Sequence, residues 1–224
     1  MMHATLPTWE HASTDEKIAK LRGLIDDLYR YSLGDAVNNV IRFVEAHQPD
    51  DEAEAQSKQL ILAACRAHPN ILNANCEVGH ITGSGLVIDP KGKRVLLNYH
   101  AKLQKWLQFG GHAEYETEPW RVALRETHEE SSLPDLQFYP NAMKPVLLDL
   151  DAHVIPQRKN LPAHYHYDLR YLLATHQPEL AQASDESGEI RWLKFNEIDT
   201  LPLESGVLRM IRKAEQIILN TPSE

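Results

Sequence analysis

Cysteine is nearly missing from this chain. Cys65 and Cys76 are the only two in 224 residues, too few for a disulfide framework to stand in for a hydrophobic core. Apolar runs long enough to span a bilayer are lacking as well. Basic residues are outnumbered, with 23 Lys and Arg against 32 Asp and Glu for a formal net charge of −9, and they form no concentrated run. A chain of that sign is not drawn to nucleic acid or to an anionic membrane. Neither is expected as a partner, and an anionic substrate would need a cation to screen it. The stretch from Met1 to Glu10 has no basic region followed by an apolar one, so cytoplasmic residence is the expectation. Internal repeats and low-complexity tracts are also missing. What is present is an ordinary globular composition, 42% hydrophobic, sufficient for one medium domain or one domain with a small appendage.

The first third reads as helix. Residues 1 to 12 look like a flexible leader. Ser13, Thr14 or Asp15 then caps a helix in which Ile18, Leu21, Leu24, Ile25 and Leu28 recur at helical spacing. Gly34-Asp35 opens a second helix carrying Val37, Val40, Ile41 and Val44, closed by Gln48-Pro49-Asp50-Asp51. A third runs from about Glu52 to Ala67, stopped by His68-Pro69-Asn70. Residues 1 to 76 hold seven Lys and Arg against eleven Asp and Glu, a net of −4, which argues against a DNA-binding helix-turn-helix. The apolar stripes of this segment, 13 to 76, need a surface to bury them: the rest of the chain, each other, or a second copy in a homodimer.

From Gly79 the pattern changes to strands. Ile81 to Ile88, an Asp89-Pro90-Lys91-Gly92 turn and Arg94 to His100 form a hairpin signal. Val146 to Ile155, Tyr165 to Ala174 and Ile190 to Phe195 read as further strands, and Ser205 to about Leu219 as a late helix. Between them, Gly111 to Leu133 reads as loop, helix and loop. Residues three and four apart share one side of a helix, so Glu126, Glu129 and Glu130 fall together, with Trp120, Ala123, Leu124 and Thr127 roughly opposite. Unit charges about 5 Å apart repel by roughly 3 kcal/mol at an effective dielectric of about 20. Such a face needs either solvation, with Arg125 as an ion-pair partner, or a hard divalent ion such as Mg²⁺ or Mn²⁺.

The flanks, Gly110-Gly111-His112-Ala113-Glu114 and Ser131-Ser132-Leu133-Pro134, give this helix a resemblance to the Nudix hydrolases. Their signature is a Gly, five residues, a Glu, seven residues and then Arg-Glu-apolar-x-Glu-Glu-x-Gly-apolar. Gly111, Arg125, Glu126, Glu129, Glu130 and Leu133 match it in register. Three positions depart. Thr117 stands at the first Glu, removing a carboxylate that would orient the Arg or a metal-bound water, a place Glu114 or Glu116 is near enough to take. Thr127 replaces an apolar residue. Ser132 replaces a Gly that ends the helix in the left-handed region, at a cost of roughly 1 kcal/mol. Trp106-Leu107-Gln108-Phe109-Gly110-Gly111-His112, Gly79 to Ser84, Asp149 to Pro156, His164 to Arg170 and Ser184 to Ser187 are similar to a poorly characterised subgroup of the family. The likeness thus runs from about residue 79 to the C-terminus.

The resemblance implies an α/β fold, a Nudix-like α/β/α sandwich over residues 77 to 224, here with an all-α appendage in front. It implies metal-dependent hydrolysis of a small pyrophosphate compound, such as a nucleoside diphosphate linked to another moiety. Glu129 and Glu130 are then the principal ligands of Mg²⁺ or Mn²⁺ and the carbonyl of Gly111 an added one. Glu126 is a further ligand or the general base, and Arg125 orients the carboxylates by a bidentate contact. A later loop usually brings another carboxylate, for which Glu186 is the first choice and Glu189 the second.

Strand alternation adds substrate-side candidates. His164, His166, Asp168 and Arg170 share one face of their strand, and Asp149, Asp151 and His153 one face of theirs. His112, Asp151, His153, His166 and Asp168 are therefore candidates to line a substrate pocket or hold an additional metal, against the plainer reading of a wet strand face. His80 and His100 add to the local density of imidazole. Two rival functions remain open at this level. One is a ligand- or protein-binding module in which catalysis has lapsed through Thr117 and Ser132. The other is an isomerase on the same fold, for which no matched Cys and Glu pair is found.

Overall fold

The computed structural model describes residues 13–14, 17–18, 34–101, 103–114, 116–158, 161–184 and 188–221. The leader and nearly all of the first expected helix lie outside the described residues. The second expected helix, α1, spans 34–46, and α2 spans Glu52–Ala67. Asp51 caps α2 by accepting from the Glu54 amide at 2.8 Å, as the Asp-rich start of that helix favours.

Eight strands make one curled mixed sheet: β1 (Gly79–Asp89), β2 (Arg94–His100), β3 (Lys105–Leu107), β4 (Phe109–His112), β5 (Gln137–Phe138), β6 (Leu147–Ile155), β7 (His164–Ala174) and β8 (Glu189–Lys194). β1 is buried along its whole length because it is central. β7 runs parallel to it on one side, from Gly79 opposite Tyr165 to Ile88 opposite Ala174. On its other side β2 and β4 lie antiparallel to its two halves. β6 pairs with β7, and β8 with β2. Strands β3, β4 and β5 were not expected from the sequence. They have two to four residues each, too short for alternation to show, and exist because a longer strand lies beside them.

Helices cover both faces. Helix α3 (Pro119–Ser131) packs against β1, and a Cβ on Gly83 would strike the Pro119 carbonyl and Val122, so only glycine lets helix and strand approach this closely. Helix α4 (Ser205–Asn220) covers the other face, burying Val207, Met210, Ile211 and Ala214 against Leu86, Ile88, Leu172 and Ala174. A fully buried side chain of this size contributes about 1.5–3 kcal/mol.

Helices α1 and α2 are docked on the sheet. Val37, Val40 and Val44 of α1 and Ile61, Ala64 and Cys65 of α2 share one core with Leu150, Tyr167 and Leu169. Both Cys65 and Cys76 are buried and free. Helix α2 also closes the open edge of β6, where the amides of Leu150 and Ala152 donate to Glu54 and Ser57 at 3.2 Å each, groups an edge strand otherwise leaves to solvent. Glu54 is fully buried and held by Lys213 of α4, 2.6 Å from both carboxylate oxygens, by His47 at 2.6 Å and by the Asp50 amide at 2.7 Å. Burial pushes its pKa up, yet the bonds from His47 and Lys213 outweigh this and bring it down to about 2. Among the described residues no helix is long and apolar enough to cross a membrane.

Candidate active site

Helix α3 turns Val122, Ala123, Thr127 and Ser131 inward, which puts Arg125, Glu126, Glu129 and Glu130 on its other side. These four side chains meet the glycine strand β4. A Cβ at Gly111 would collide with the whole carboxylate of Glu126, so this glycine seats that side chain. The amide of Gly110 donates to Glu130 Oε2 at 3.4 Å. The carbonyl of His112 accepts from Arg125 Nη2 at 3.0 Å. The other guanidinium nitrogen, Arg125 Nη1, bridges Glu126 at 2.9 Å and Glu129 at 3.2 Å. Arg125 thus joins two carboxylates to a backbone carbonyl and does not grip one acid with both nitrogens.

The electrostatics are unbalanced. One guanidinium serves both Glu126 and Glu129, and Glu129 stays more than half exposed. Burial raises the pKa of Glu126 first of all; Arg125 pulls it down, while Glu129 and Glu114 push it further up. Arg125 is itself held protonated, since the fields of Glu126, Glu129 and Glu114 exceed its desolvation. Glu114, at a positive φ of 48°, is therefore felt at the site, whereas Thr117 at the departed signature position is exposed. A carboxylate whose proton affinity is raised by burial and then further by acidic neighbours, in spite of the guanidinium beside it, marks a place where positive charge is in deficit. Hard oxygen donors gathered there fit a divalent ion of the Mg²⁺ or Mn²⁺ kind.

At the C-terminal end of α3, Ser132 takes φ 57° and ψ 14°, the left-handed conformation its sequence position demanded. The loop after η-turn residues Pro178–Leu180 is tied to this helix end, with the Gln182 amide on the Ser131 carbonyl at 2.8 Å and the Ser184 amide on the Glu130 carbonyl at 3.3 Å. Asp185 and Glu186 follow at once and lie outside the described residues. Glu189 opens β8 opposite Tyr99 and pairs with Arg191 at 3.0 Å.

The remaining candidates lie on the other face of the sheet. Since Gly83 faces α3, its neighbours His80, Thr82 and Ser84 face away, and the register completes three rows across β1, β7 and β6: His80, His166, His153; Thr82, Asp168, Asp151; Ser84, Arg170, Asp149. His112 of β4 stands opposite Thr82. Asp168 is buried with four donors: Thr82 at 3.0 Å, Ser84 at 2.7 Å, Gln108 at 3.2 Å and Arg170 at 2.9 Å. Arg170 also reaches Asp149 at 3.2 Å and Asp151 at 3.0 Å, and Arg209 holds Asp149 at 2.7 Å. Asp151 opposes its partial burial with His153, 2.8 Å away, and Arg170, and is held down at about 2.

Above these acids the histidines cluster. Burial first, then the neighbouring imidazoles, lowers His80 to about 4 and His166 to about 2, and His112 also falls. These rings are neutral at physiological pH. In the sequence His80 stands out for imidazole density and lies in a segment similar to the family subgroup; the alternation of His80, Thr82 and Ser84 with Ile81, Gly83 and Gly85 is the signal that places it on this face. Thr82, Ser84 and Gln108, the partners of Asp168, lie within the segments similar to the family subgroup, but nothing in the sequence assigns them this role.

The NUDIX domain family profile matches residues 80–214, more than half of the chain and the whole of this site. The chain belongs to the Nudix family. It is a Nudix-type pyrophosphohydrolase, a member of a family that generally uses divalent metals. Among solved structures, a C. elegans Ap4A hydrolase binary complex is 16% identical with a TM-score of 0.50, over 63% of this chain and 98% of that one. A NUDIX-family hydrolase from Clostridium perfringens is 20% identical with a TM-score of 0.47, over 62% of this chain and 97% of that one. The E. coli dihydroneopterin triphosphate pyrophosphohydrolase is 16% identical with a TM-score of 0.46, over 63% and 96%. No curated protein matches the chain.

Proposed function

We propose that this Nudix enzyme hydrolyses the diphosphate linkage of a small nucleoside-diphosphate-linked or related compound, with Mg²⁺ or Mn²⁺ as cofactor. The observation that carries the reading is the acidic face of α3 seated on Gly110 and Gly111, where Glu126 and Glu129 share the single guanidinium of Arg125 and the proton affinity of Glu126 is raised. Glu129, Glu130, Glu126 and the Gly111 carbonyl would hold the ion. When bound, it neutralises charge on the diphosphate oxygens and acidifies the attacking water. Arg125 fixes Glu126 and Glu129 relative to β4, so the carboxylates are placed before substrate arrives. Glu126, with its raised proton affinity, is the described residue best suited to take a proton from water where it is not itself a ligand. Glu186 is the alternative base, supported by the tether of Ser184 to Glu130, and Glu189 the third. A chain of net charge −9 attracts such an anionic substrate only through a screened site, which fits the same arrangement.

The test is product analysis with a panel of nucleoside diphosphate derivatives. Phosphomonoester products should form with Mg²⁺ or Mn²⁺ and stop in excess chelator. Hydrolysis at an undiminished rate in chelator, or no hydrolysis of any panel member with either ion, would refute the proposal.

A further inference from the structure

We infer that His80, His112 and His166 form a second metal centre, distinct from the carboxylate face and selective for an imidazole-preferring divalent ion of the Zn²⁺ type. The three residues come from β1, β4 and β7, and each offers a ring nitrogen within 4.8 Å of the others. Their ring centroids are 4.8, 4.8 and 5.1 Å apart. His112 Nε2 and His166 Nε2 are 3.4 Å apart. That is long for a hydrogen bond, but two tetrahedral Zn–N bonds of about 2.0–2.1 Å place their nitrogens about 3.3 Å apart.

A second observation is independent of that spacing. His80 is 2% exposed, and neither of its ring nitrogens has a hydrogen-bond partner among the described residues. A buried donor or acceptor left in that condition costs about 1–3 kcal/mol, and a metal bond to one nitrogen removes part of that cost. The two other rings nearby, His153 and His164, bond Asp151 and the Pro162 carbonyl through Nδ1 at 2.8 and 2.9 Å and are not part of the converging trio. Three protein ligands leave a fourth position open. His112 is exposed, so an ion has a path in.

Three neutral nitrogens favour Zn²⁺, Co²⁺ or Ni²⁺ over Mg²⁺, whereas the carboxylates of α3 favour the harder ions. The sheet separates the two sets, because successive residues of a strand point to opposite faces: Gly111 meets Glu126, and His112 points to the other side. The backbone still links them. Arg125 grips the carbonyl of His112, so an ion on the His112 ring steadies the strand against which the carboxylates of α3 pack.

The full chain, dialysed against Zn²⁺ in excess Mg²⁺, should retain one Zn²⁺ per chain, and Zn²⁺ should raise its melting temperature. Co²⁺ in its place should show the intense visible absorption of four-coordinate cobalt. His112→Ala, at an exposed position, and His166→Gln should each weaken Zn²⁺ binding by about 100-fold or more and abolish the cobalt spectrum, with the metal-free melting temperature little changed. Glu129→Gln with Glu130→Gln should leave the retained Zn²⁺ in place. Zn²⁺ retained equally by both histidine variants, Zn²⁺ lost with the two glutamates, or no Zn²⁺ retained by the wild-type chain would each overturn the inference.

Discussion

Two clusters of acid groups flank the same sheet and differ in nearly everything but composition. On the α3 side, Glu126 and Glu129 share one guanidinium, and they and Glu130 remain partly open to solvent. On the far side, Asp149, Asp151, Asp168 and Glu54 are matched by Arg170, Arg209 and Lys213, and Asp149 and Glu54 have no exposure at all. Charge left uncompensated near solvent recruits a cation or a substrate. Charge compensated in the dry interior locks elements together, here α2, β6, β7 and α4. In sequence both look like acids on a periodic face, and only the distribution of partners separates a chemical site from a structural one.

The sharpest way to break this contrast is at the open cluster. Glu130→Gln keeps the shape and removes a charge, and should lower turnover roughly 10³-fold with Mg²⁺ present while the melting temperature holds. A wild-type rate in that variant would place the chemistry elsewhere.

The closed cluster should answer oppositely. Glu54→Leu strands Lys213 and two backbone amides, so a loss of about 3–5 kcal/mol is expected in denaturant unfolding, with activity per folded molecule unchanged. Glu54→Leu combined with Lys213→Met should recover much of it. The same residue gives a pH signature. Its folded pKa of about 2 lies below the ordinary 4.5, so its contribution is fully present above pH 4.5 and is lost as pH falls from 4.5 toward 2. Glu54→Gln should flatten that part of the stability profile.

A smaller effect is expected at Asp168→Asn, which removes the charge facing Arg170. Stability should fall by about 1.5–3 kcal/mol, and kcat per folded molecule should stay the same; a drop in kcat without destabilisation would move Asp168 into the substrate site. Smallest is Ser132→Gly, which relieves a left-handed serine at the end of α3 and should add about 1 kcal/mol, a rise of about 2–4 °C in Tm. No rise would mean that Ser132 bears no strain.

Much of the architecture was legible in the chain. The limits of α2 and β2 are those expected from capping residues and apolar spacing, because these signals lie within a few residues of the element they bound. The face of α3 carrying Glu126, Glu129 and Glu130 followed from helix periodicity, and the left-handed Ser132 from its standing where the Nudix signature has a Gly. The short strands β3, β4 and β5 were not legible, since nothing local distinguishes a three-residue strand from a loop.

What the amino-acid sequence determined by itself was therefore everything that acts over one or two turns of chain: element type, capping, which side chains share a face, and the spacing of the carboxylates. The tertiary structure decided the rest. It set His80 beside His112 and His166 through a register among three strands, paired Asp168 with Arg170, and brought Lys213 to Glu54 across 159 residues of chain. Periodicity orients a side chain about its own element, but whether that side chain meets a cation, a carboxylate or water depends on contacts remote in sequence.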